Sequence, residues 1–177
     1  MKFIVLLGLL LVSFHSPASS QDSSQDSSRN SSQSWQDWKT VGQGRLTWGF
    51  WTIYDSELRT PAGDFVSGQK PLALVITYRR DIDRDDLLEA TDDQWQHLGI
   101  PASRRTLWLE QLSSIWPDVR KGDQLVFVFS DRGGQFFQAD QVLGATIEQE
   151  FAQAFIDIWL SPDTAYPKLR RRLMGQQ

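Results

Sequence analysis

The sequence predicts an α+β domain in which helices lie on one side of a mainly antiparallel sheet. Three observations carry this. Short β-rich runs alternate in polarity or are apolar throughout, several stripes recur at helical spacing between Pro and Gly stops, and runs of strands are interleaved with helix pairs.

Arg45 to Tyr54 (RLTWGFWTIY) alternates and is rich in aromatic and β-branched residues, which predicts one strand. Leu46, Trp48, Phe50, Thr52 and Tyr54 share one face of it, and Thr47, Trp51 and Ile53 the other, so both faces are expected to be covered. Pro61 to Asp64 has turn chemistry. Leu72 to Tyr78 (LALVITY) is a continuous apolar strand. Asp83 to Leu98 reads as a helix, with Asp83, Asp85 and Asp86 at its positive N-terminal end and Gly99 as its stop. Pro101 opens a second helix over Ala102 to Trp116, and Pro117 ends it. Gln124 to Ser130 (QLVFVFS) is a strand, Asp131 to Gly134 a hairpin loop, and Gln135 to Gln138 the start of the return strand. In Glu148 to Leu160, Phe151, Ala154, Phe155, Ile158 and Trp159 form one wide apolar helical face. Pro167 to Met174 is a short basic helix.

The N-terminus predicts export. Met1-Lys2 precedes an apolar run from Phe3 to Phe14, shorter than the roughly 20 residues that span a bilayer, and Ala18-Ser19-Ser20 supplies a cleavage site before Gln21. Residues 1–20 read as a signal peptide, with an uncleaved anchor as the alternative, and the product is expected in the periplasm or outside the cell. Gln21 to Ser34 (QDSSQDSSRNSSQS) has no apolar residue and reads as a disordered linker. Trp35 to Gln177 is left as a single domain.

Composition excludes several activities. The 177-residue chain has 40% hydrophobic and 23% charged residues, the balance of an ordinary globular protein. It has no Cys, so disulfides, thiolate nucleophiles and Cys-ligated metals are absent. Of its two His, His15 lies in the leader and His97 stands alone, so neither a Ser-His-Asp triad nor a multi-His metal site is expected. No metal and no cofactor are called for. The net charge of −4, without a basic tract, argues against nucleic acid as a partner. The abundant Trp fits core packing along apolar stripes, with lining of a ligand pocket as the other reading.

Four segments carry a resemblance: PDVRKGDQLVFVF (Pro117 to Phe129), LGATIEQEFAQAFIDIWLSPDTAYPKLRRRLMG (Leu143 to Gly175), WGFWTIYDSEL and TYRRDI. Together they resemble the bacterial chalcone isomerase-like proteins, over about Gly44 to Gly175 and in the same order. The resemblance implies an open-faced β-sandwich. It implies two kinds of function: plant enzymes of the family close a chalcone into a flavanone, whereas related plastid members bind fatty acids without catalysis. Fold descent alone does not choose between them.

By this resemblance Arg45 stands where the enzymes neutralise a developing oxyanion and the binding proteins hold a carboxylate. A guanidinium suits both tasks, and a surface Arg at a strand start is the plain alternative. Thr52 stands where the enzymes polarise the substrate ketone. The two are seven residues apart, however, which puts them on opposite faces of a regular strand unless a bulge at Gly49 intervenes. Tyr54 and Tyr78 are phenols that either donate into a cleft or sit in the core, and neither aligns with the catalytic Tyr of the plant enzymes. Arg79, Arg80 and Asp81 read as corner ion pairs, with Arg80 a secondary candidate for an anionic ligand. His97 reads as structural or exposed.

The expected function is therefore non-catalytic binding of a small amphipathic or fatty-acid-like anion between sheet and helices, at Arg45, Thr52, Tyr54, Tyr78 and Arg80. An isomerase acting on an enone is the alternative, and it requires Arg45, Thr52 and a Tyr hydroxyl to converge on one cavity. An envelope interaction protein without ligand is a third reading, and it predicts a cleft filled by the protein's own side chains.

Overall fold

The computed structural model describes residues 34–176. The leader and nearly all of the linker lie outside these residues. Six antiparallel strands form one open sheet in sequence order: β1 (Lys39–Trp48), β2 (Trp51–Thr60), β3 (Leu72–Tyr78), β4 (Gln124–Ser130), β5 (Gly133–Gln138) and β6 (Gln141–Ile147). Four helices accompany them among the described residues: α1 (Arg84–His97), α2 (Ala102–Ile115), α3 (Gln149–Leu160) and α4 (Pro167–Leu173). The α+β class and the antiparallel sheet match the sequence expectation.

The period-2 rule sorts the central strands into two faces. Leu72, Leu74, Ile76 and Tyr78 of β3, with Leu125, Phe127 and Phe129 of β4, point into the main core under the helices. Ala73 and Val75, with Val126 and Val128, point the other way into a smaller cluster closed by Trp35. That cluster is covered by a 3₁₀ turn over Ser34–Asp37. Of the helices, α3 fills the main core most densely. Phe155 meets the rings of Phe127, Phe136, Trp116 and Trp159 at centroid distances of 4.7–5.8 Å. Burial of each such ring contributes about 1.5–3 kcal/mol, so Phe155→Ala is expected to cost about 3–5 kcal/mol.

Helices α1 and α2 cross from β3 to β4. The N-terminal end of α1 receives its cap from outside the helix: Arg84 N–H donates to Asp118 Oδ1 at 2.9 Å, beside an antiparallel bridge between Ile82 and Val119. Trp95 anchors α1 to α3 by donating its indole N–H to the Ala154 carbonyl at 2.9 Å, with Trp108 of α2 packed edge-on against it. His97 contacts the Asp163 carbonyl through Nε2 at 3.0 Å, a structural role.

Two sequence expectations are corrected. Arg45 to Tyr54 is the tip of a hairpin, with Trp48 paired to Trp51 and Gly49-Phe50 between them. Gly49 has φ +58°, the left-handed conformation that a side chain disfavours and a two-residue hairpin loop requires. Aromatic residues continue through the loop, so the alternation does not reveal it. The expected covering of both faces fails with it, because Trp48, Phe50 and Trp51 are exposed. The second correction is β6, a largely exposed edge strand with too little apolar alternation to be recognised.

Candidate functional site

A cavity of about 150 Å³ lies between one end of the sheet and the helices. Leu46, Ile53, Tyr54, Ile76 and Tyr78 of β1–β3 form its floor. Leu87, Ala90 and Thr91 of α1, and Phe155, Ile158 and Trp159 of α3, form its walls. It arises because successive floor residues are cross-strand partners on the helix side, Leu46 against Tyr54 and Tyr54 against Tyr78. The cavity opens into a groove of about 760 Å³ that shares Leu46, Ile53, Ala90, Gln94 and Tyr166 with it and is rimmed by Trp48 and Arg80. The deep part alone is smaller than the roughly 300–1,000 Å³ typical of ligand pockets, and the groove brings the site into that range.

The polar groups of the interior are neutral: the Tyr54 and Tyr78 phenols, the Thr91 hydroxyl and the indoles of Trp159 and Trp116, the last buried without a partner. Trp159 Nε1–H donates to the Tyr54 hydroxyl at 2.9 Å, joining β2 to α3. The Tyr54 and Tyr78 rings meet edge to face at 6.2 Å. Burial pushes both phenols far above the ordinary tyrosine range, although the Trp159 hydrogen bond partly offsets this for Tyr54. Both are therefore neutral hydrogen-bond donors at any physiological pH. Thr91 spends its hydroxyl on the Leu87 carbonyl at 2.8 Å, and at the rim Gln94 Nε2 donates to the Tyr166 hydroxyl at 3.2 Å. The one carboxylate in the lining is Asp86, which is exposed at the opening. The deep cavity can thus hold an apolar body and donate to a carbonyl or hydroxyl, but it holds no base and no cation.

The five expected site residues part company. Tyr54 and Tyr78 line the cavity, and Arg80 lines its mouth, with its guanidinium 5.1 Å from the Trp51 ring. Arg45 lies on the opposite face of the sheet, in a shallow polar basin with Asp55, Thr77 and Gln124. Its Nε–H donates to Asp55 Oδ1 at 2.6 Å, while Arg79 Nε–H donates to Asp55 Oδ2 at 2.7 Å. The Arg45 hydrogen bond, with help from Arg79, holds the Asp55 carboxyl below its usual range. Thr52 sits half-buried on β2 opposite Thr47 and is not among the cavity's lining residues. A hairpin turn, with a register shift between Leu46 and Thr47, takes the place of a Gly49 bulge within one strand and does not unite Arg45 with Thr52. Asp81 does pair at the corner, but with Arg120 and the Lys121 N–H at 2.8 Å, while the expected partner Arg79 binds Asp55 and Arg80 lies over Trp51.

Sequence reasoning misses the Trp159–Tyr54 bond and the rim pair Gln94–Tyr166. The signal for Trp159 and Tyr166 is their position in or beside IWLSPDT, the most specific segment of the resemblance. Among the described residues no cluster of three or more acidic or His side chains is placed to hold a metal ion.

The sequence profile of the chalcone isomerase-like family matches residues 52–175. The chain belongs to the chalcone isomerase-like family. Arg45 lies outside the matched residues, whereas Tyr54, Tyr78, Trp159 and Tyr166 lie within them. An uncharacterized protein of Haemophilus influenzae is 27% identical over 139 residues, which is 78% of this chain and 69% of that protein. The crystal structure of a fatty-acid binding protein of Arabidopsis thaliana superposes with a TM-score of 0.57 at 6% identity, covering 77% of this chain and 86% of that one. At that identity the likeness establishes the chalcone isomerase-like fold and nothing about ligand.

Proposed function

We propose that the protein binds a small amphipathic molecule without transforming it, its acyl or aromatic body in the cavity and its polar end at the mouth. The observation that carries this is an open apolar cavity whose interior polar groups, two phenols, a hydroxyl and two indoles, are all uncharged. The open cavity supports a ligand over the interaction reading, which expects a cleft filled by the protein's own side chains. Closing an enone would need a positive group inside the cavity where oxyanion charge develops; Arg45 is on the far side of the sheet and Arg80 lies only at the mouth. The fatty-acid binding described for the Arabidopsis thaliana neighbour supports a ligand with an apolar tail. For a fatty-acid-like anion the carboxylate contact falls to Arg80 instead of Arg45. Asp81, Asp86, Glu89 and Asp93 share the mouth with Arg80 and favour uncharged head groups over free acids. The leader supports a place of action outside the cytoplasm.

The test is native mass spectrometry with dodecanoic acid and with its uncharged monoglyceride. One equivalent of added mass is expected with at least one of them. Ala90→Trp, at an exposed position that lines both cavity and mouth, is expected to abolish it by plugging the opening. No added mass with either probe, or added mass unchanged in Ala90→Trp, would overturn the reading.

A further inference from the structure

The hairpin joining β1 to β2 carries aromatic residues that the fold does not use. Trp48, Phe50 and Trp51 are 82%, 105% and 65% exposed, so their rings stand in solvent. A side chain built on Gly49 would meet nothing within 4 Å, so the turn itself is uncovered. The turn itself needs only Gly49 with its positive φ; any polar residues would serve beside it. Large apolar groups are exposed elsewhere only as the scattered Val66, Leu107 and Val142 among the described residues. Three aromatic rings on four consecutive positions are a concentrated patch, the kind that marks an interaction site.

The surroundings indicate what it meets. Arg80 lies against the Trp51 ring at the base of the tip. Arg45 and Arg79 share the carboxylate of Asp55 on the adjoining sheet face, while Asp81, Asp86, Glu89 and Asp93 rim the mouth beside Arg80, so the tip's attraction to a surface rests on its apolar rings and not on net charge. Trp48 and Arg80 also rim the mouth of the cavity. Two indoles flanking a phenyl ring, with the Arg80 guanidinium against Trp51, match the layering of a bilayer surface: indoles favour the head-group level and Phe enters deeper. A projecting, compact tip also suits a deformable medium, whereas a protein partner would need a preformed pocket for it.

We propose that the Trp48–Trp51 tip inserts into the interface of a lipid bilayer and holds the cavity mouth against it. An amphiphile then passes between membrane and cavity without exposing its tail to water. The bilayer contact stands on the hairpin alone; the transfer rests on the binding function proposed above.

The experiment is quenching of tryptophan fluorescence by vesicles of brominated phosphatidylcholine, alone and with phosphatidylglycerol. The leader contains no Trp, so its own affinity for lipid is silent in this readout. Quenching is expected in the full chain, persisting in 0.5 M salt because apolar insertion is not screened. It is expected to disappear in Trp48→Phe/Trp51→Phe, which removes the two reporting indoles and keeps the tip apolar. Phe50→Ser keeps both indoles and is expected to raise the lipid concentration for half quenching about tenfold, the loss of one largely buried aromatic ring. Absence of quenching, quenching that survives the double variant, insensitivity to Phe50→Ser, or abolition by salt would each overturn the proposal. So would a Phe50-dependent dimer in analytical ultracentrifugation without quenching, which would assign the tip to a second copy. Phe50→Ser is expected to keep ligand binding in solution, so loss of lipid contact and failure of the binding function are read separately.

Discussion

The bond between Trp159 and Tyr54 is the tie that closes the cavity, and a double-mutant cycle measures it. The two residues are 105 positions apart, and both are more than nine-tenths buried. Because burial keeps the Tyr54 phenol neutral, the bond is between uncharged groups, whose net worth is about 1 kcal/mol. Trp159→Phe removes the donor and leaves a void where the indole was, costing about 2 kcal/mol in all. Tyr54→Phe leaves the Trp159 N–H buried without an acceptor and costs about 1–3 kcal/mol. In the double variant neither orphan remains, so the summed single losses should exceed the double loss by about 1 kcal/mol. Guanidinium denaturation at pH 7, with unchanged m values, gives the four stabilities. Additivity within about 0.5 kcal/mol would refute the claim that this bond couples β2 to α3 across the cavity.

Three further outcomes follow from the same geometry. Tyr54 and Tyr78 hold their protons above pH 10, where an unfolded tyrosine with pKa about 10 releases its own. The native state then binds more protons than the unfolded state, so stability falls as pH rises, by up to about 2.7 kcal/mol per pH unit for the pair. Absorbance titration at alkaline pH should show both phenols ionising only as the protein unfolds; early titration of all three tyrosines would contradict their burial. Asp55, held below its ordinary range first by Arg45, contributes stability above the unfolded Asp pKa of about 3.9 and loses it as pH falls through the folded value. The stability difference between wild type and Asp55→Asn should therefore be flat well above the unfolded pKa and close only as pH falls below it, which acid denaturation series would show. Gly42→Ala would bring a methyl group within 2.0 Å of the Arg172 carbonyl, forcing α4 away from β1. It should cost about 1–3 kcal/mol and raise amide exchange in α4, and no change in either would place the contact elsewhere.

Much of the fold is legible because local chemistry dictates it. LALVITY and QLVFVFS are read as strands from their length, flanking turns and β-branched or aromatic content, and each alternates between large residues for the helix side and smaller ones for the outer side. The stripe Phe151, Phe155, Ile158 and Trp159 specifies α3 and its buried face. Gly49 is legible only as an interruption, since a chain of aromatic residues reads alike through a strand or over its turn.

The sequence by itself determined the two central strands, the helices, the absence of cysteine chemistry, and the family resemblance. The tertiary structure alone decided which residues make the site. Period-2 alternation states that Arg45 and Tyr54 have sides, but the side that becomes a cavity is the one the helices cover, and that depends on packing between distant segments. Folding the Arg45–Tyr54 segment back on itself, with Arg45 opposite Asp55, places the guanidinium outside and the phenol inside. Trp159 completes the site because its indole reaches from α3 to Tyr54 of β2, a contact that no local pattern encodes.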